Sequence, residues 1–180
     1  MAITRRKFIL KAAAATLAGA SAGYALWEAH DLLTRPRDLL IPGLPAGFSG
    51  IRAAFVADLH HGPYASLEYL GGMVRRIHEA APELVLLGGD YTYYKARYIP
   101  PVMEILSALR APLGVYAVRG NHDNRAGKSL SSLELRRNGI REITNTGLWL
   151  ERGGDRLYLA GVDDLWTGRP DLRQALAPVS

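Results

Sequence analysis

The 180-residue chain has no cysteine. That excludes a disulfide framework and a thiolate zinc site, and leaves His, Asp, Asn and Glu as the side chains able to hold a metal ion. It has no internal repeat and, beyond its N-terminal segment, no low-complexity tract. Its body also has little excess charge. The formal charge is +5, from 22 Lys and Arg against 17 Asp and Glu. Arg5, Arg6, Lys7 and Lys11, however, lie within the first 22 residues, which contain no acid. The remainder holds 18 basic against 17 acidic residues, so the sequence gives no basic face, and no nucleic-acid partner is expected. At 48 % apolar residues, a chain of this length suits one domain with a real core.

The N-terminus reads as an address. Thr-Arg-Arg-Lys-Phe-Ile-Leu-Lys at 4–11 is followed by an apolar stretch of small residues from Ala12 to about Leu26. A positive segment ahead of a short apolar one is a signal-peptide pattern. Arg5-Arg6 followed by Phe8 resembles the twin-arginine (Tat) consensus, and Ala20-Ser21-Ala22 offers a small-x-small cleavage site. A signal or anchor is therefore expected over 1–29, with membrane association through it as one outcome. Export to the periplasm or to the outer face of the cytoplasmic membrane follows from the same reading. The competing reading is an amphipathic or single-span anchor helix. Pro36, Pro42, Pro45, Gly43, Gly47 and Gly50 mark 30–50 as a linker, and 51–180 as the folded domain.

Within the domain, Ile51–Ala57, Leu84–Leu87 and Leu113–Val118 are apolar runs read as buried strands. Ser66 is a candidate N-cap for a helix to Ala80 whose apolar face is Leu67, Leu70, Met73, Val74 and Ile77. Val102, Ile105, Leu106 and Leu109 mark a second helix, with Pro100 and Pro101 near its start. A short helix is expected over Leu130–Arg137, with Gly139 as its stop. Leu148–Glu151 and Arg156–Ala160 flank Gly153-Gly154-Asp155 as a hairpin, and a last helix begins near Asp171. The β-α-β-α-β order predicts an α/β fold whose first sheet is mainly parallel.

Three polar clusters stand just after the three buried strands, the edge where open α/β sheets bind ligands. They are Asp58-Leu59-His60-His61-Gly62, Gly88-Gly89-Asp90 and Gly120-Asn121-His122-Asp123. Asp58 and His60, two apart, would share one side of an extended strand end. The glycines before Asp90 permit a tight turn, and its carboxylate has two oxygens with which to bridge ions. Asn121 offers an amide oxygen, and His122 can face a phosphate. This mixed N/O set suits Zn, Mn or Fe rather than Ca. Other residues carry weaker signals. His78 reads as an ordinary helix histidine and His61 as surface or supporting; His30 has no functional reading. Asp163 and Asp164 either shape the site or cap their loop. Tyr91, Tyr93, Tyr94 and Tyr98 either stack on a ligand or pack the loop after the second strand, the second being the favoured reading.

The order Asp-x-His, Gly-Asp, Gly-Asn-His-Asp resembles the signature of the calcineurin-like metallophosphoesterases, over residues 51 to about 175. The run Gly-Val-Asp-Asp-Leu-Trp-x-Gly-Arg-Pro-Asp-Leu is most similar to the envelope-associated bacterial branch, which includes Tat-exported phosphodiesterases and the enzyme cleaving UDP-2,3-diacylglucosamine. The resemblance implies a sandwich of two β-sheets flanked by helices and two divalent ions (Mn, Fe or Zn). Asp58 and His60 would bind the first ion, Asp90 would bridge both and Asn121 would bind the second. His122 would act as the catalytic residue on the phosphate or leaving group. It implies hydrolysis of a phosphodiester or pyrophosphate by a metal-bridged hydroxide, with lipid-linked and nucleotide-sugar substrates among the candidates.

The family pattern continues with a later His and a Gly-His-x-His motif, whereas no His follows His122. The expectation is therefore a C-terminally truncated chain with an incomplete second sheet and little activity by itself. The competing expectation is a non-catalytic remnant with at most weak metal binding.

Overall fold

The computed structural model describes Thr16 and residues 33–177. Apart from Thr16, the expected signal segment, its arginines included, lies outside these residues. The chain divides into two compact units, Met1–Arg37 and Asp38–Ser180, and the elements below belong to the second. Among the described residues, no helix is long and apolar enough to cross a membrane.

Four strands form a parallel sheet in sequence order: β1 (Ala53–Val56), β2 (Leu84–Leu87), β3 (Val115–Ala117) and β4 (Arg141–Glu142). Between them run α1 (Leu67–Glu79), α2 (Ile99–Leu106) and α3 (Asn121–Arg137). Parallel strands in sequential order, joined by right-handed crossovers, put every helix on one face. Accordingly α1 packs on α2, and α2 on α3. The other face is left for an antiparallel hairpin, β5 (Thr146–Arg152) and β6 (Asp155–Gly161), with the short helix α4 (Leu172–Leu176) beside it. The expected α/β sandwich of two sheets flanked by helices is what the chain forms.

Local chemistry explains the elements. The Ser66 hydroxyl accepts from the Tyr69 N–H at 3.1 Å and caps α1, whose Leu70, Met73, Val74 and Ile77 are buried as the 3.6-residue period requires. Each such side chain contributes roughly 1.5–3 kcal/mol. Gly153 and Gly154 both have positive φ, the condition for a two-residue hairpin turn matched to strand twist. Between the sheets, Leu84 and Tyr116 meet Leu148 and Leu150 of the hairpin, with Phe48 and Ile143 filling the gap.

Three expectations are corrected. First, the second half of the 30–50 linker belongs to the fold. Phe48, on a 3₁₀ turn at Ala46–Phe48, is fully buried, and the Gly47 N–H donates to Asp155 Oδ2 at 2.6 Å. Proline and glycine there build a tight turn rather than a tether. Second, β1 is not a buried strand. It is the edge of its sheet, the hairpin core is centred on β2–β4, and Phe55 is 72 % exposed. Third, α3 starts at Asn121, not at Leu130. Gly127 (φ +157°, ψ +84°) kinks it, so the apolar period shows only in its second part.

Replacing the α1 cap, Ser66→Ala, is expected to lower the unfolding free energy by about 1 kcal/mol, because the Tyr69 N–H loses its acceptor. Urea titration reads the change, and an unaltered midpoint would show that the cap contributes nothing.

Candidate metal centre

All five residues singled out from the sequence meet at the carboxyl edge of β1–β3. They do not do so by strand alternation. Asp58, His60 and Asp90 have φ of +58°, +46° and +57°, a region that costs non-glycine residues energy and that clusters at functional sites. The loops hold these angles by extending the β1–β2 ladder beyond the strands. The Asp58 N–H donates to the Gly89 carbonyl at 3.1 Å, that of His60 to Asp90 at 2.9 Å, and that of His61 to Tyr91 at 2.8 Å. This pairing aims the Asp58 and His60 side chains together, with His60 Nε2 3.5 Å from Asp58 Oδ1.

The third loop is locked to the second through Asp123. Its fully buried carboxylate accepts from the N–H groups of Asp90 (2.8 Å), Tyr91 (3.0 Å) and Gly120 (3.0 Å). The last of these is a reciprocal cap. Gly120 is the N-cap of α3 and has no side chain to offer, so the residue three positions on reaches back. Gly120 must be glycine, because a Cβ there would overlap the Asp90 carboxylate. Burial pushes the Asp123 pKa up to about 7, against the pull of the N–H bonds from Gly120 and Asp90. In turn the His122 N–H donates to Asp90 Oδ1 at 2.9 Å, which sets that carboxylate at the positive end of α3.

The tightest set of donor atoms is His60, Asp90 and His122, all within 4.8 Å of one another. His60 Nδ1 lies 3.2 Å from His122 Nδ1, and His60 Nε2 lies 4.0 Å from Asp90 Oδ2. Asp58, 72 % exposed at its side chain, reaches only His60 within this group. Asn121 lies against Asp90. With its amide oxygen inward, acceptor faces acceptor; turned over, its nitrogen donates to Asp90 Oδ2 at 2.8 Å and Oδ1 at 3.2 Å. A cation held there would relieve the same conflict with the oxygen inward. The donor chemistry thus fits a divalent ion. His122 is buried, and desolvation, then the neighbouring His60, hold its pKa below the ordinary imidazole value.

The tyrosine cluster divides. Tyr91 is structural: it is fully buried, and its hydroxyl donates to the carbonyls of Leu87 (3.1 Å) and Val118 (2.6 Å). Tyr94 instead stacks on His122, ring centres 3.6 Å apart and planes 26° apart. His61 is supporting, its Nδ1 tied to the Ala65 carbonyl at 2.8 Å and its ring against Tyr98. Asp164 caps its own loop through Thr167. Asp163 does more, because it joins that loop to α3 through Asn124 Nδ2 (3.2 Å) and Lys128 Nζ (3.3 Å). Buried Arg119 completes this support, bonding Glu142, Ser132 and Asn124. The motif reading gave Asp123 and Arg119 no role. Only the capping position of Asp123, three after a glycine N-cap, could have signalled one.

These features define a metal-ligand cluster on an α/β sandwich, and comparison with known proteins agrees. The calcineurin-like phosphoesterase family model matches residues 51–175, and the chain belongs to that family. It is 29 % identical to an uncharacterized metallophosphoesterase, YkuE, of Bacillus subtilis, covering 99 % of this chain and 66 % of the relative. It is 30 % identical to the phosphodiesterase YaeI of Escherichia coli, covering 93 % of this chain and 63 % of that protein. It is also 29 % identical to the UDP-2,3-diacylglucosamine pyrophosphatase LpxG of Chlamydia muridarum, over 54 % of this chain and 31 % of the relative. The chain thus spans less than two thirds of the length of these curated relatives.

Asp123→Asn is expected to cost about 1–3 kcal/mol, since an amide cannot accept from all three N–H groups. The raised folded pKa also gives a sign. The proton held by Asp123 contributes stability that is fully present below about pH 3.8 and is lost as the pH rises through about 7. Urea unfolding of the metal-free protein between pH 4 and 8 should therefore show a downward slope that flattens in Asp123→Asn. An equal slope in both proteins would remove Asp123 as its source.

Proposed function

We propose that the chain carries the metal-binding core of a hydrolase that cleaves a phosphodiester or pyrophosphate. The observation that carries this reading is the convergence of His60, Asp90, Asn121 and His122, with Asp58 beside them, on one sheet edge. His60, Asp90, Asn121 and Asp58 would hold divalent ions. Such ions, when bound, supply Lewis acidity and lower the pKa of water. The chain's own contribution is placement. Asp123 fixes the Asp90 loop against the start of α3. The ring of His122, stacked on Tyr94 and with its pKa below the ordinary imidazole value, would hydrogen-bond a phosphoryl or leaving oxygen. A lipid-linked substrate is supported by the name of the LpxG relatives. Export by the Tat pathway, to the periplasm or the outer membrane face, is supported by Arg5-Arg6 and the apolar segment after it.

A second reading, weak metal binding without turnover, is favoured by the small donor set. Among the described residues one cluster, His60, Asp90 and His122, brings three such ligand atoms within reach of one ion, and the Asp58 side chain stands largely in solvent. The two readings separate in one pair of measurements. The hydrolase reading expects Mn²⁺-dependent release of p-nitrophenol from bis(p-nitrophenyl) phosphate, falling to background in Asp90→Ala, with Mn²⁺ binding weakened in parallel by calorimetry. Mn²⁺ binding without any turnover supports the second reading, and no Mn²⁺ binding at all sinks both.

A further inference from the structure

A row of tyrosine rings runs outward from His122. Tyr94 stacks on His122; Tyr93 meets Tyr94 edge-on at 5.2 Å and 65°; Tyr64 meets Tyr93 at 5.9 Å and 90°. The row begins on a buried histidine and ends in solvent, where Tyr94 is 41 % and Tyr64 is 78 % exposed. Tyr91, in the same segment, shows what a purely packing tyrosine does here: it is covered and its hydroxyl is satisfied. Tyr64 does neither job.

Two backbone features maintain the row. Gly62 lets the first loop close on the second, since a Cβ there would lie 2.8 Å from the Tyr93 Cβ. Tyr94 is held at φ +50°, a conformation that costs a bulky residue energy. No acid occurs from Tyr91 to Met103. Exposed Lys95 and Arg125 have no carboxylate partner among the described residues, and the Arg125 guanidinium lies 5.7 Å from the Tyr94 ring centre. An exposed aromatic row with unpaired cations, opening from a phosphoryl-type site, is complementary to a flat ring attached to an anion.

We propose that the Tyr64–Tyr93–Tyr94 row is the subsite for the organic substituent of the substrate, and that this substituent is a planar aromatic ring on a phosphoester. The assignment rests on the phosphoesterase reading of the adjoining site. It names the class of substituent taken there.

The test uses the full chain with diamagnetic Zn²⁺, and phenyl phosphate and glycerol phosphate as probes. Phenyl phosphate should bind about tenfold more tightly by calorimetry, with its ring protons shifted upfield by stacking. Tyr64→Ala should remove that advantage and the shift while leaving glycerol phosphate binding unchanged, and Tyr64→Phe should keep both. Because Tyr64 is exposed, these variants leave the fold intact. Equal binding of the two probes, or a preference that Tyr64→Ala does not touch, overturns the subsite and leaves the phosphoesterase reading standing. Failure of the Zn²⁺-loaded chain to bind either phosphate overturns the subsite, and absence of bis(p-nitrophenyl) phosphate turnover as well overturns the phosphoesterase reading.

Discussion

The arrangement turns on one buried carboxylate. Asp123 contributes no donor atom to the tightest ligand cluster, yet its two oxygens take three N–H groups from two loops. A fully buried carboxyl group is costly unless its hydrogen-bonding capacity is met. Here it is met only when the tip of β2 and the start of α3 are side by side. The cost of separating them is therefore the cost of stranding Asp123. Because the loops are fixed, the His122 N–H finds Asp90, and Asp90 lies within reach of His60 and Asn121. A side chain one step behind the site thus sets the spacing of the groups in it.

A second buried network makes the same region rigid from the other side. Arg119 joins β4 and α3 through Glu142, Ser132 and Asn124, and Asp163 brings in the loop after β6. Burial raises the Asp163 pKa, but hydrogen bonds from Arg169, Asn124, Asp164 and Lys128 outweigh it, so the group stays ionised beside Lys128. The strained angles at Asp58, His60 and Asp90 persist within this frame. Each costs on the order of 1–3 kcal/mol, and the ladder bonds from 58 to 61 leave the loops no relaxed alternative that keeps those bonds.

Much of this was legible in the sequence. Periodicity and capping located α1, and paired glycines located the hairpin. The motif order placed all five site residues at one sheet edge. What the sequence hid has physical causes. Phe48 sits among prolines and glycines, and composition cannot distinguish a turn that packs inward from a tether. β1 has the apolar composition of a buried strand, but exposure is decided by which strand the hairpin lies over. The first part of α3 carries polar site residues ahead of a glycine kink, so no apolar period announces it. Asp58 and His60 did come together, but through left-handed backbone, which spacing alone does not reveal. Arg119 is five residues from Asn124 but 23 from Glu142, and that second distance exists only in the fold.

The tyrosines show how one local composition supports two different jobs. Tyr91 and Tyr94 are three residues apart, both aromatic and both beside the His60–Asp90–His122 cluster. Tyr91 follows the left-handed turn at Gly89 and Asp90, where Asp123 holds its N–H and its hydroxyl finds two carbonyls. Tyr94 is itself in left-handed backbone, and its ring lies over His122. That angle is tolerated because the preceding loop is already pinned, through Tyr91 to Asp123 and through Tyr93 to His61. The clamp that fixes the Asp90 loop therefore also fixes the ring that covers His122.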